Sequence, residues 1–389
     1  MYKEGVMNRF ECHSHTHYSN LRIIDSINTI DSLVDYAIEI GLAGIAITDH
    51  ESLSNAVEID KKQKAIKEKY PNFKIAHGNE IYLVDSREPG KPYYHFILIA
   101  KDAIGFKMLR ELSSTAWINS FFDRGLERVP TLKSELAAIV DKYGKGHLIA
   151  SSACLGSELD KNIILMERAT TQEEKVEPYN NIFKHLNYCK DLFGDDFYLE
   201  VQPAQSEEQL IVNNKMSAIS EVFNIKIIVT TDAHYLKKSD REIHKAYLNS
   251  KEAEREVDLF YEFAYLQTKE EVIENLKGTN LNYEELEKNT LEIYNKIEDF
   301  SIARNQQIPQ PKNLVIKNNN PKTGYKNLDR LLNSENEVDR YWVNSCIDKL
   351  KELNLYNKEY LERLEYEADV KRTVGEKLDT NMYAYPVFP

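Results

Sequence analysis

The chain has 389 residues, 42% of them hydrophobic and 29% charged, enough to bury a large core and to carry one big domain plus an appendage. Its formal net charge of −13 argues against general nucleic-acid binding by the whole surface, but not against a nucleic-acid end entering a cleft whose charge metal ions supply. Four scattered cysteines without a CxxC pair exclude a disulfide framework, and the absence of a long apolar run or signal peptide predicts a cytoplasmic protein with no membrane partner.

The chain opens on a short strand that runs into His13-Ser14-His15-Thr16. Strand side chains alternate, so His13 and His15 project from one face and can serve one metal ion together. A helix over 29–41 follows, with an apolar stripe at Ile30, Leu33, Val34, Ala37 and Ile38, Asn28 as cap and Gly41 as stop. Residues 43–48 read as a buried strand leading into Asp49-His50. A lysine-rich helix over 53–70 precedes a strand region from Lys74 through Glu80 to Leu83, and residues 94–100 are again a buried strand.

Helices over 104–121 and 132–143 lead to a short strand, 147–150, and the turn bearing Cys154. A helix over 176–192, a strand over 197–201, a helix over 207–222 and a strand over 226–230 complete the alternation, and the last strand ends in Thr231-Asp232-Ala233-His234. Strands alternating with helices imply a mostly parallel sheet, and so many units favour a closed or nearly closed barrel with its ligands at the carboxyl ends of the strands. Beyond His234 the segments are helical and acidic to about Phe300. A linker is expected at 305–311 and 317–321, helices at 328–353 and 358–372, and a Tyr/Pro-rich tail at 381–389; there is no internal repeat.

His13, His15, Asp25, His50, Glu80, His95, Cys154, Asp232 and His234 are too many donors for a mononuclear site, where three or four suffice. Mixed imidazole, carboxylate and thiol donors suit two or three divalent ions: zinc, manganese or iron. His17, His77, His147, His185 and His244 are expected to be structural or solvated, with His17 and Arg22 near enough in sequence to touch a phosphate. Glu200 and Gln202 end a strand and either line the cleft or cap the barrel.

The segments His13-Ser14-His15-Thr16, Ile47-Thr48-Asp49-His50, Gly78-Asn79-Glu80-Ile81, Tyr94-His95-Phe96, Ala153-Cys154-Leu155-Gly156 and Thr231-Asp232-Ala233-His234-Tyr235 resemble, in order, the PHP (polymerase and histidinol phosphatase) family. The resemblance is to the PHP domain of the bacterial DNA polymerase III alpha subunit. It implies a distorted (β/α)7 barrel over residues 1–270 and a helical extension over 271–389 that resembles the lead-in to the polymerase palm. It also implies a trinuclear cluster: His13, His15, Glu80 and Asp232 on one ion, Glu80, His95 and Cys154 on a second, and Asp25, His50 and His234 on the third. Glu80, Asp232 and His234 would carry the catalytic roles, and Asp49 would orient an imidazole. One departure is length: five residues separate Ser19 from Asp25, where the family has two.

The activity so implied is metal-dependent phosphodiester hydrolysis, as a 3′–5′ exonuclease on DNA 3′ ends in replication. The remaining polymerase polypeptide is a partner. The palm's aspartates are absent, so this chain alone is not expected to polymerise DNA. Two other readings stand beside it: a phosphatase of the histidinol phosphate type, and a metal-stabilised scaffold for a polymerase chain.

Overall fold

The structure, a computed structural model, describes residues 8–21, 24–123, 125–250, 259–304 and 314–377. Strand β1 (Asn8–Glu11) is followed by α1 (Ile30–Glu39), β2 (Leu42–Ile47), α2 (Ala56–Ile66), β3 (Lys74–Val84), β4 (Tyr94–Ala100) and α3 (Ala103–Ile118). A small ribbon, β5 (Phe121–Asp123) and β6 (Leu126–Arg128), leads to β7 (Pro130–Leu132), α4 (Lys133–Tyr143) and β8 (Leu148–Ser151). Then come α5 (Glu158–Arg168), α6 (Gln172–Phe193), β9 (Phe197–Val201), α7 (Glu207–Phe223), β10 (Ile227–Val229), α8 (Arg241–Leu248), α9 (Lys269–Asn275) and α10 (Tyr283–Lys296). The chain divides into two compact units, residues 1–303 and 304–389. The second contains α11 (Lys326–Leu332), α12 (Glu337–Glu352) and α13 (Lys358–Lys377), packed through Leu328, Leu331, Val343, Ile347, Leu361 and Ala368.

In the first unit the strands run in the order β1-β2-β3-β4-β8-β9-β10, with β7 branching from β3. Neighbours are parallel except that β4 is antiparallel to both β3 and β8. Phe10, Ala46, Ala76, Ile97, Ile149, Tyr198 and Ile228, one from each strand, share a single buried cluster. A sheet whose first and last strands feed the same interior has curled on itself, giving a nearly closed, distorted barrel. The interior is tight at β2, where a Cβ on Gly44 would lie 2.3 Å from the Lys74 carbonyl oxygen and 2.9 Å from the Phe10 ring.

The seam between β1 and β10 is closed differently at its two ends. At the carboxyl end the backbone closes it, with the His15 N–H donating to the Ala233 carbonyl at 3.0 Å. In the middle the Glu11 carboxylate accepts the Thr231 N–H at 3.0 Å and its hydroxyl at 2.9 Å, and Arg9 pairs with Glu11 at 3.2 Å; both charged side chains are fully buried. At the amino end α10 plugs the gap: Thr290 Oγ1 accepts the Phe10 N–H and Asn289 Nδ2 donates to the Ile227 carbonyl. Side chains thus supply the hydrogen bonds that a missing ladder would leave unmade.

The structure amends several sequence expectations. The first compact unit extends past residue 270, because α10 carries the seam contacts and belongs to it. The ribbon β5–β6 and helix α5 are additional, and the stretch at 328–353 breaks into α11 and α12 at the polar run Asn333-Ser334-Glu335-Asn336. Thr29, not Asn28, caps α1, since the Asn28 amide instead donates to the His15 and Ala233 carbonyls across the seam. The expected linker at 305–311 and the tail at 381–389 lie outside the described residues. No helix among those described is long and apolar enough to cross a membrane.

Removing Glu11 would strand a buried Arg9, so Glu11→Ala is expected to cost about 3–5 kcal/mol in denaturant unfolding. His77, packed between Phe106 and Phe300, is buried and its imidazole is held at a pKa of about 4, below 6.5, by loss of solvation. Between those values the unfolded chain binds a proton that the folded chain refuses. Stability present above pH 6.5 is therefore lost as pH falls toward 4, by up to about 3 kcal/mol. His77→Leu is expected to flatten that part of the profile, read from urea midpoints at pH 7 and pH 4.

Candidate metal centre

His13 and His15 follow β1, His50 follows β2, Cys154 follows β8, and Asp232 and His234 follow β10, so all meet at one rim. Glu80 reaches the rim because β3 is long. His95 is near the start of its strand, not the end, and arrives there only because β4 is reversed. Asp25 comes from the loop before α1. His13, His15, Asp25, His50, Glu80, Cys154, Asp232 and His234 are buried and His95 is partly exposed.

All nine side chains converge. The His13 and His15 Nε2 atoms are 3.0 Å apart, and Asp232 Oδ1 is 3.1 Å from each. Asp25 Oδ2 is 2.9 Å from both His50 Nε2 and His234 Nε2. The Glu80 carboxylate is 2.7 Å from His50 Nδ1, 2.9 Å from His95 Nδ1 and 3.3 Å from His15 Nε2. Cys154 Sγ lies 3.3 Å from His95 Nδ1 and 3.8 Å from Glu80 Oε1. The donors form three overlapping sets: His13, His15 and Asp232; His15, Asp25, His50 and His234; His50, Glu80 and His95. This differs from the implied partition: His15 and His50 each belong to two sets, Glu80 groups with His50 and His95 and not with His13, His15 and Asp232, and Cys154 lies beside the third set without joining it.

The donor chemistry fits divalent cations. Asp232 Oδ1, Glu80 Oε2 and His50 Nδ1 are buried without a hydrogen bond among the described residues, although Glu80 Oε2 and His50 Nδ1 approach to 2.7 Å. Such atoms cost about 1–3 kcal/mol each unless something else answers them. Burial would raise the carboxylates, but His95, His50 and His13 hold Glu80 well below the usual range, and His13 and His234 do the same for Asp232. The Cys154 thiol is pushed well up by burial and by Asp232 and Glu80, so only a bound cation would make it a thiolate. Three non-glycine residues with left-handed backbone, Glu51 (φ 54°), Ala153 (φ 62°) and Asp232 (φ 46°), sit at or beside these donors. Strain of this kind concentrates at functional sites.

A second layer orients the rings. Glu200 Oε1 accepts from His13 Nδ1 at 2.6 Å and from Thr230 Oγ1 at 2.6 Å, while Ser151 Oγ donates to Glu200 Oε2. With its Nδ1–H directed at Glu200, His13 turns Nε2 to the centre, where a bound cation would take the place of the second proton. Glu200 therefore lines the cleft rather than merely capping the barrel, and Gln202 Nε2 supports it at 3.4 Å. Asp49 acts on a different ring from the one adjoining it in sequence: it accepts from Ser19 Oγ at 2.8 Å, and Ser19 Oγ meets His15 Nδ1 at 2.9 Å. Tyr261 donates to Asp25 Oδ1 and His244 Nε2 donates to the Asp25 carbonyl, so the longer loop still delivers its carboxylate. Tyr261 carried no motif to mark it.

The remaining histidines stay outside. His17 is exposed and lies at a tilt against the Tyr18 ring, His147 pairs with Asp102, and His185 pairs with Glu158. Arg22 lies outside the described residues.

The PHP domain family matches residues 11–204. The chain carries a PHP domain. Similarity extends beyond it: a probable DNA polymerase, YorL, of Bacillus subtilis is 35% identical, aligned over 96% of this chain and 31% of its own length. The DNA polymerase III subunit alpha of Aquifex aeolicus is 30% identical over 93% of this chain and 30% of its own length. That of Thermus aquaticus is 30% identical over 61% of this chain and 18% of its own. The chain therefore has a DNA polymerase III alpha-like PHP domain and spans under a third of the length of these relatives. Among solved structures, an amidohydrolase from Chromobacterium violaceum with bound sulfate and no metal aligns over 58% of this chain and 87% of its own, at a TM-score of 0.36 and 11% identity.

Glu200→Gln keeps the shape but loses the charge that holds the His13 proton. It is expected to weaken retention of bound divalent metal about 10–100-fold, the usual loss when such a partner is removed. Competition with a fluorescent chelator checks this, with the urea midpoint as the control for folding.

Proposed function

We propose that the PHP unit is a metal-dependent phosphodiesterase acting on DNA 3′ ends as a 3′–5′ exonuclease. The observation that carries this reading is the convergence of nine candidate donors from seven separate segments on one buried rim, with carboxylate and imidazole atoms crowded to within 2.7–3.3 Å of one another. Two or three divalent ions, zinc, manganese or iron, fit that donor set. When bound they supply an ionised water near neutral pH and neutralise phosphate charge.

The protein's own groups do the rest. Glu80, within 3.5 Å of four imidazoles, ties the three donor sets together. Glu200 and the Asp49–Ser19 relay hold His13 and His15 with their Nε2 atoms toward the centre. His234 Nδ1 is fixed by the Asp232 carbonyl at 2.8 Å, which leaves Nε2 toward Asp25. His95, the most exposed of the nine, marks the side from which a strand end would arrive. The similarity to polymerase relatives supports a DNA end over a small phosphate monoester as the substrate, and a polymerase polypeptide as a partner.

The test is hydrolysis of a 3′-mismatched primer by protein supplied with manganese or zinc. Metal-loaded wild type is expected to shorten the primer, chelator to abolish this, and Asp232→Asn to reduce the rate at least 100-fold while the protein remains folded. An intact primer under every metal condition, with elemental analysis showing two or three bound ions, would leave the scaffold reading in its place.

A further inference from the structure

A groove of about 450 Å³ opens on the His50 side of the centre, lined by Ser52, Ser54, Arg110, Ser113, Ser114 and Trp117 among others. One wall is the turn that directly follows His50. The other is a single face of α3, since residues 110, 113, 114 and 117 recur at the i, i+3, i+4, i+7 spacing.

The two walls are tied together at Glu51, whose carbonyl accepts the Trp117 indole N–H at 2.8 Å and the Ser113 hydroxyl at 3.4 Å. The Glu51 N–H in turn donates to the Glu80 carbonyl at 2.8 Å. The groove is thus joined to the backbone that carries two candidate ligands.

Its chemistry is that of a phosphate track. Four serines line it, with the Ser113 hydroxyl donating to Glu51 and that of Ser52 to Ser54, which leaves Ser54 and Ser114 to offer donors. Arg110 is exposed and rests over the Phe106 ring at 5.9 Å, with no hydrogen bond or ion pair to any described residue. The adjoining acid cannot neutralise it, because Lys142 and Tyr143 already occupy Glu111. An uncommitted guanidinium is notable in a chain where acids outnumber bases 63 to 50. Beside it the Trp117 ring offers an apolar face with its N–H already satisfied, the feature on which a base stacks in sequence-tolerant single-strand binding.

We infer that this groove holds the single-stranded DNA segment behind the 3′ end, with Arg110 and the serines on the phosphates and Trp117 against a base. The inference rests on the proposed exonuclease reading, which supplies the strand. It adds where the strand lies and which residues grip it. The net negative charge of the chain opposes binding elsewhere on the surface, and the phosphate contact makes binding at this track salt-sensitive.

The chain has two tryptophans, so Trp342→Phe leaves Trp117 as the only indole reporter. That variant, metal-replete, is titrated with a ten-residue oligothymidylate whose phosphorothioate linkages resist cleavage. Saturable quenching is expected. Arg110→Ala should weaken the affinity about tenfold, as for a hydrogen bond to a charged group, and lower the salt slope by about 0.7. Ser114→Asp, which puts a negative charge on the same track, should weaken it too.

Absence of quenching, or binding unchanged by both substitutions, would overturn the inference. Equal affinity for thymidine monophosphate would overturn it also, in favour of a mononucleotide pocket. Cleavage of an ordinary oligonucleotide is followed in parallel. Binding without cleavage removes the exonuclease reading and keeps the groove, whereas cleavage with an unaltered KM in Arg110→Ala removes the groove and keeps the exonuclease.

Discussion

Glu80 is wholly buried, yet four imidazole rings stand within 3.5 Å of its carboxylate. A lone carboxylate in such a place would take up a proton, since burial disfavours the charged form. The surrounding rings prevent that, and they in turn are aligned by carboxylates, a serine and backbone carbonyls behind them. The rim is therefore a charge-compensated polar core inside a protein whose other core is aliphatic and aromatic. Its arrangement depends on every strand delivering its residue to the same height.

Strand direction is what achieves this. In a wholly parallel barrel each contribution would come from the end of a strand. Reversing β4 lets the start of one strand join, and the length of β3 lets a mid-strand residue do so. The irregularity places His95 and Glu80 side by side, where Cys154 can meet both. The seam at β1 and β10 is a further irregularity, since there side chains take over the closure below the rim.

Much of this was legible in the chain because the motifs follow strands whose composition is unmistakable. Residues 94–100 and 197–201 are strands to the residue, and the nine side chains that converge are those that residue type and order single out as candidate ligands. What stayed hidden depended on partners distant in sequence. Nothing near Glu200 announces His13, 187 positions away, and Asp49 adjoins His50 yet serves His15 through Ser19. The β5–β6 ribbon, three residues a side, is too short for periodicity to register. The reach of the barrel unit beyond 270 was obscured because α10 looks amphipathic like any surface helix. Only the contacts of Asn289 and Thr290 reveal it as part of the closure.

That plug bears on how such a protein can be divided. Ending a fragment at 270 would strip the barrel floor and bare the Phe10 and Ile227 backbone groups to water. Tyr198 would lose Glu292 at the same stroke, and Lys74 its carbonyl partners on Tyr294 and Ile297. A fragment that keeps this floor therefore ends near residue 303, and recombination between polymerase relatives that respects the fold would have to cross over beyond that point.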